Sequence, residues 1–208
     1  MEKVNLVLSP SQQKHNICKA GDTENVHCRA IGQKIISILS EFDIFNLYLI
    51  PQFSYIADLD NLYAAIKESN RFIAENGGKG FHVGIHSDAG GGKGASGLYV
   101  SDAGKVLASN ILTPLMALTP WNDVGLRHRT GLAELNKTSA IAAIIEVSFH
   151  DDITQATWIH NHCPDIANAI CDGIFSTLVN VNDAAYLQAL IDIDQLIHST
   201  LSPSKGVH

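Results

Sequence analysis

IAAIIEV, residues 141–147, is the stretch on which the fold turns. It is almost continuously apolar. A strand with one wet face alternates polar and apolar residues, whereas a strand covered on both faces does not. This run therefore predicts a buried strand in the middle of a sheet with helices on both sides. Its single charged residue, Glu146, is costly to bury unless something pairs with it.

Working outward, further short apolar runs alternate with helical patterns. VNLVL (4–8), ended by Ser-Pro, reads as a first strand. Asp22 or Thr23 is placed to cap a helix from Glu24, with Val26, Ala30, Ile35, Ile38 and Leu39 at roughly helical spacing. NLYLI (46–50) is a second strand, and Asp58 to Glu75 a second helix. FHVGIH (81–86) and SGLYVSD (96–102) are further strands. Helices are predicted over 103–118 and 164–180, and a last amphipathic segment over 183–201. Strands alternating with helices predict an α/β fold whose sheet is mostly parallel. Ligands in such sheets collect at the C-terminal ends of the strands.

The chain has 208 residues, a formal net charge of −7 and no dense basic run. Phosphate binding wants clustered Lys and Arg, so nucleic acid is excluded as the main partner. No apolar run approaches the length of a membrane span. The N-terminus is too short and too polar for a signal peptide, so synthesis in the cytoplasm without one is expected. Cys18, Cys28, Cys163 and Cys171 form no C-x-x-C pair, which argues against a zinc knuckle and reads as reduced thiols.

Four residues fall at the expected strand-end edge: His15, Glu24, His86 and Glu146. Two imidazoles and a carboxylate are a frequent ligand set for catalytic zinc. The ion lowers the pKa of water and polarises a carbonyl, and a second carboxylate moves the proton. His15, Glu24 and His86 are thus candidate metal ligands and Glu146 the candidate base. A carboxylate in a helix's first turn also complements the helix dipole, so Glu24 alone says little.

GGGKGASG, residues 90–97, contains a literal G-x-G-x-x-G, but a strand pattern follows it. A dinucleotide fingerprint needs a helix there. The glycines are read instead as a flexible rim beside His86 that lets a bulky polymer approach. WIHNHC (158–163) resembles a ligand cluster. On a helix, however, His160 and His162 point about 200° apart and cannot chelate one ion together, so the segment is read as surface. His150 lies close enough to Glu146 in sequence to be a substrate or supporting contact.

With SPSQQKHN (His15), GDTEN (Glu24), GIHSDA (His86) and IIEVSFHDD (Glu146), the chain resembles the zinc-dependent N-acetylmuramoyl-L-alanine amidases of the amidase-3 type, found as bacterial autolysins and phage endolysins. The likeness spans about residues 4–180. It implies a phosphorylase/hydrolase-like three-layer α/β fold with about six strands. It implies one zinc ion held by two His and one Glu, peptidoglycan as partner, and cleavage of the amide between N-acetylmuramic acid and L-alanine, with Glu146 moving the proton. The first motif departs from the family's common G-H-G-G turn. Asp88 and Asp152 stand where Asn is usual, and Asp88 is held as a substrate contact.

The expected organisation is a catalytic domain over 1–181 and a C-terminal helical extension over 182–208. The expected site of action is the bacterial cell wall, reached after release by a holin or lysis, or within a sporulating cell. Competing readings are a metal-dependent hydrolase of another amide and a non-catalytic wall-binding module. A two-His-one-carboxylate iron oxygenase is more remote.

Overall fold

A computed structural model describes residues 3–121 and 125–179. The amphipathic segment 183–201 and the extension 182–208 lie outside the described residues.

The elements run β1 (Val4–Pro10), α1 (Glu24–Leu39), β2 (Phe45–Leu49), α2 (Asp58–Glu75), β3 (Phe81–Asp88), β4 (Ser96–Tyr99), α3 (Asp102–Leu118), β5 (Leu126–His128), α4 (Ala133–Lys137), β6 (Ile141–Phe149), α5 (Ile153–Asn161) and α6 (Cys163–Val179). They form a six-stranded sheet in the order β2-β1-β3-β6-β4-β5. The β1–β2, β1–β3 and β3–β6 pairs are parallel, and β4 runs antiparallel to β6. The central sheet is thus mostly parallel and flanked by helices, as the sequence predicts.

IAAIIEV is the body of β6, one of the two central strands and hydrogen-bonded on both edges. Its two faces are covered by different layers. Ala143, Ile145 and Val147 join the main core, which α1, α3 and α6 complete through residues such as Ile31, Leu107, Ile111 and Ile170. Ala142 and Ile144 face a smaller cluster with Leu98 of β4 and Leu135 of α4. A third cluster packs Val7 of β1 against Ala65 and Ile73 of α2. Two-sided cover explains the missing alternation.

Local chemistry sets several helix starts. Ser101 accepts a hydrogen bond from the Gly104 amide at the start of α3, and Asp152 accepts from Thr154 and Gln155 at the start of α5. Asp152 therefore has a capping role. Thr23 sits at the cap position of α1, but its side chain makes no capping bond. Asp22 is turned away toward histidines.

The glycine stretch is pinned, which corrects its reading as a flexible rim. Gln155 accepts from the Gly94 amide at 2.9 Å and donates to the Gly92 carbonyl at 3.0 Å. Asp151 accepts from the Gly90 amide at 2.7 Å. A Cβ on Gly92 would fall 2.2 Å from the ring of Phe149, so this glycine allows the loop to lie on that ring.

Candidate active site

In β3 the residues His82, Gly84 and His86 share one face, because successive side chains in a strand point to opposite sides. The β3–β6 register sets His86 beside Glu146. Both come at the C-terminal edge of the sheet, where β1 also ends.

His86 lies between two carboxylates. Its Nδ1 is 2.9 Å from Glu24 Oε1 and its Nε2 is 3.2 Å from Glu134 Oε2. The second oxygen of each carboxylate is also held. Asn16 donates to Glu24 Oε2 at 2.7 Å, and Glu134 Oε1 is 2.8 Å from Nε2 of the buried His82. Ser69 Oγ lies 2.8 Å from His82 Nδ1, so the chain of contacts begins on α2 and ends in the loop before α1. Gly84 makes room for it, since a Cβ there would meet Glu134 Oε1 at 3.1 Å and Ile144 at 2.9 Å.

Burial penalises each charge here, and the partners outweigh it. Burial pulls the His86 imidazole down, but Glu134 and Glu24 together raise its pKa well above the ordinary value. Burial pushes the Glu24 and Glu134 carboxyls up, yet His86 and Asn16 hold Glu24, and His82 and His86 hold Glu134, below the usual carboxylate range.

Glu146 has no such partner. Its Oε2 is sealed from solvent and makes no hydrogen bond. Burial, with Glu24, Asp88 and Glu134 adding to it against the pull of His86, pushes its carboxyl up to about 8. An unsatisfied acid beside a charged network is a candidate functional position. His86, Glu134 and Glu146 open into a cavity of about 310 Å³, walled also by Gln12, Asp58 and Leu62.

The sequence-predicted residues separate in this structure. Glu24, His86 and Glu146 gather at one edge. His15 is held apart: its Nδ1 is 3.1 Å from Asp58 Oδ2, and its side chain is 65% exposed. Neither Asp88 nor His150 lines the cavity. Asp88 accepts from the next amide, Ala89. His150 is buried, with its Nδ1 2.9 Å from Ser87 Oγ. Sequence reasoning missed Glu134 and His82. Glu134 sits in a short helix, LAELNK, with no motif to mark it, and only Gly84 between two histidines hinted at a close approach.

The edge fits a cation. An imidazole nitrogen and a carboxylate oxygen at 2.9 Å both present lone pairs, so a proton or a metal ion must stand between them. Two buried carboxylates share the one imidazolium of His86, so negative charge exceeds positive even with Glu146 protonated.

A mostly parallel α/β sheet with a buried imidazole–carboxylate site and an isolated acid at its strand ends is an arrangement suited to metal-assisted hydrolysis. Residues 13–176 match the family model described as N-acetylmuramoyl-L-alanine amidase, and the chain belongs to that family of enzymes. Solved structures of the same fold include an N-acetylmuramoyl-L-alanine amidase from Clostridium difficile 630, at 18% identity and a TM-score of 0.73, covering 86% of this chain and 98% of that one. The catalytic domain of CwlV from Bacillus (Paenibacillus) polymyxa var. colistinus is 20% identical with a TM-score of 0.70, covering 85% and 98%. The amidase Ami1 from Mycobacterium smegmatis is 15% identical with a TM-score of 0.69, covering 85% and 97%. A sequence comparison with curated proteins finds no match. Among the described residues no helix is long and apolar enough to cross a membrane.

Proposed function

We propose that this amidase cleaves the bond between N-acetylmuramic acid and the L-alanine of the peptidoglycan stem peptide, with zinc bound at Glu24 and His86. The carrying observation is the Glu24–His86 contact beside the unpartnered Glu146, at the strand-end edge of a chain matched to this family. His15, bonded to Asp58 here, is the third residue that would hold the ion. Glu24 and Glu134 touch opposite nitrogens of His86, so Glu24 and His86 would hold the ion together while Glu134 would accept the Nε2 proton. When bound, zinc supplies Lewis acidity toward the scissile carbonyl and acidifies water.

The protein's own residues do the rest. Glu146 takes the proton of the attacking water and returns it to the departing alanine amine. Its carboxyl, near 8 without metal, would be lowered by a nearby cation. Glu134 and His82 fix the ring plane of His86. Leu59, Leu62 and Leu132 give the cavity an apolar wall for the substrate.

The test is mass spectrometry of purified peptidoglycan digested with and without a zinc chelator. Stem peptides with a free L-alanine amine, appearing only without chelator, are expected. Intact wall under both conditions, or glycan-chain cleavage, overturns the proposal.

A further inference from the structure

Outside this edge, four side chains converge from three parts of the chain. Cys18 and Asp22 come from the loop before α1, His27 from α1 and His160 from α5. One ligand atom of each lies within 4.8 Å of all the others. Among the described residues this is the only such grouping of three or more His, Cys, Asp or Glu. We propose that it is a second metal site, for a borderline-soft divalent cation of the zinc class, with a structural role.

The distances suit an ion. A tetrahedral centre with bonds of about 2.0–2.3 Å separates its ligand atoms by roughly 3.3–3.8 Å. Here His160 Nε2 is 3.0 Å from Asp22 Oδ1, His27 Nδ1 is 3.2 Å from that same oxygen, and Cys18 Sγ is 4.0 Å from His160 Nε2. These values bracket the range. A thiol, two imidazoles and a carboxylate select zinc-like ions over magnesium or calcium, which prefer all-oxygen shells.

The site is built by the backbone. The Cys18 amide donates to the Asp22 carbonyl at 2.9 Å, and the Gly21 amide to the Cys18 carbonyl at 3.0 Å. Gly21 turns the chain at φ 106°, which only glycine adopts without strain. This turn sets the Cys18 and Asp22 side chains next to each other. His27 is oriented from behind, because its Nε2 is 2.7 Å from Ser87 Oγ, leaving Nδ1 for the site. A metal-bound histidine held through its other nitrogen is the usual arrangement. His160 therefore has a partner cluster and is not plain surface, whereas His162 stacks on Trp158 and takes no part.

Four protein ligands leave no open position, so the site is closed and clamps rather than catalyses. It ties the loop and first turn that carry Glu24 to α5 across the molecule.

Cobalt reports on it separately from the first site, which has no sulfur. Metal-free full-length protein is titrated with Co²⁺ and followed for thiolate-to-cobalt charge-transfer absorption, with circular dichroism as a check on folding. The band is expected in the wild type and in His86→Ala, and to be absent in Cys18→Ser. His160→Gln, a change at a partly exposed helix position, is expected to weaken cobalt binding by roughly tenfold or more, the size of loss produced even by outer partners of a metal. A folded wild type without the band, or a band that survives Cys18→Ser, overturns the proposal. Either result leaves the amidase assay untouched, so the two sites fail or stand independently.

Discussion

His86 and Glu134 are in contact, Nε2 to Oε2 at 3.2 Å, and the other oxygen of Glu134 holds His82 at 2.8 Å. One carboxylate from a five-residue helix thus orients two histidines of the same strand face. His82 is fully buried, and Glu134 nearly so. Replacing Glu134 by Gln keeps one acceptor oxygen and turns an NH2 donor toward the other buried imidazole. Glu134→Gln is expected to destabilise the fold by about 3–5 kcal/mol, the range for breaking a buried pair from one side. Zinc affinity should fall by about 10–100-fold. Urea unfolding and competition with a chromophoric chelator check the two effects.

Glu146→Gln should separate binding from chemistry. The amide is nearly isosteric with the acid and cannot take a proton from water. Metal content is expected to stay at the wild-type level while kcat falls by about 10²–10⁴-fold, the usual contribution of a general acid–base group. Full turnover in this variant removes Glu146 from the mechanism.

The same residue gives the metal-free protein a pH dependence. The Glu146 pKa is raised in the folded state from 4.5 to about 8. The folded state therefore binds the proton more tightly than the unfolded state. The stabilisation is complete below about pH 4.5 and is lost as pH rises toward and through 8. Chelator-treated wild type should lose stability relative to Glu146→Gln over that window, by an amount on the order of a few kcal/mol. Urea midpoints of both proteins at acid, neutral and mildly alkaline pH test this; parallel curves contradict it.

His15 and His86 should behave differently on truncation. His15 is exposed and pairs with Asp58, so His15→Ala is expected to leave the stability of metal-free protein within about 0.5 kcal/mol of wild type, as surface changes do. It should still weaken zinc binding. His86→Ala should lose both zinc at this edge and stability. Calorimetric zinc titration, beside thermal melts in chelator, distinguishes them. Unchanged zinc affinity in His15→Ala removes His15 from the ligand set.

Gln155 holds the glycine stretch through two backbone groups and also accepts from Ser148 at 2.9 Å. Gln155→Ala leaves these groups unpaired, at about 1–3 kcal/mol each where they are buried. Faster hydrogen exchange at the Gly94 amide, with slow exchange retained in β6, is the expected signature.

Much of this molecule is legible in the chain. The boundaries of α2 were readable from its apolar stripe, and β3 and β6 from runs that only a doubly covered strand carries. The short β5 and α4 escaped, because three or five residues hold too little periodicity to register. That gap hid Glu134. Strand-end position picked out His15, Glu24, His86 and Glu146, and the parallel register sets His86 and Glu146 side by side.

The pattern of apolar runs and strand-end residues in the sequence by itself determined an α/β sheet and the edge where chemistry gathers, because burial on two faces and strand polarity are local properties of residue order. What the tertiary structure alone decided is which side chains meet. Glu134 reaches His86 across 48 positions, and Cys18 reaches His160 across 142. Those contacts depend on how helices dock on the sheet, and docking is a property of the packed whole that no local spacing carries.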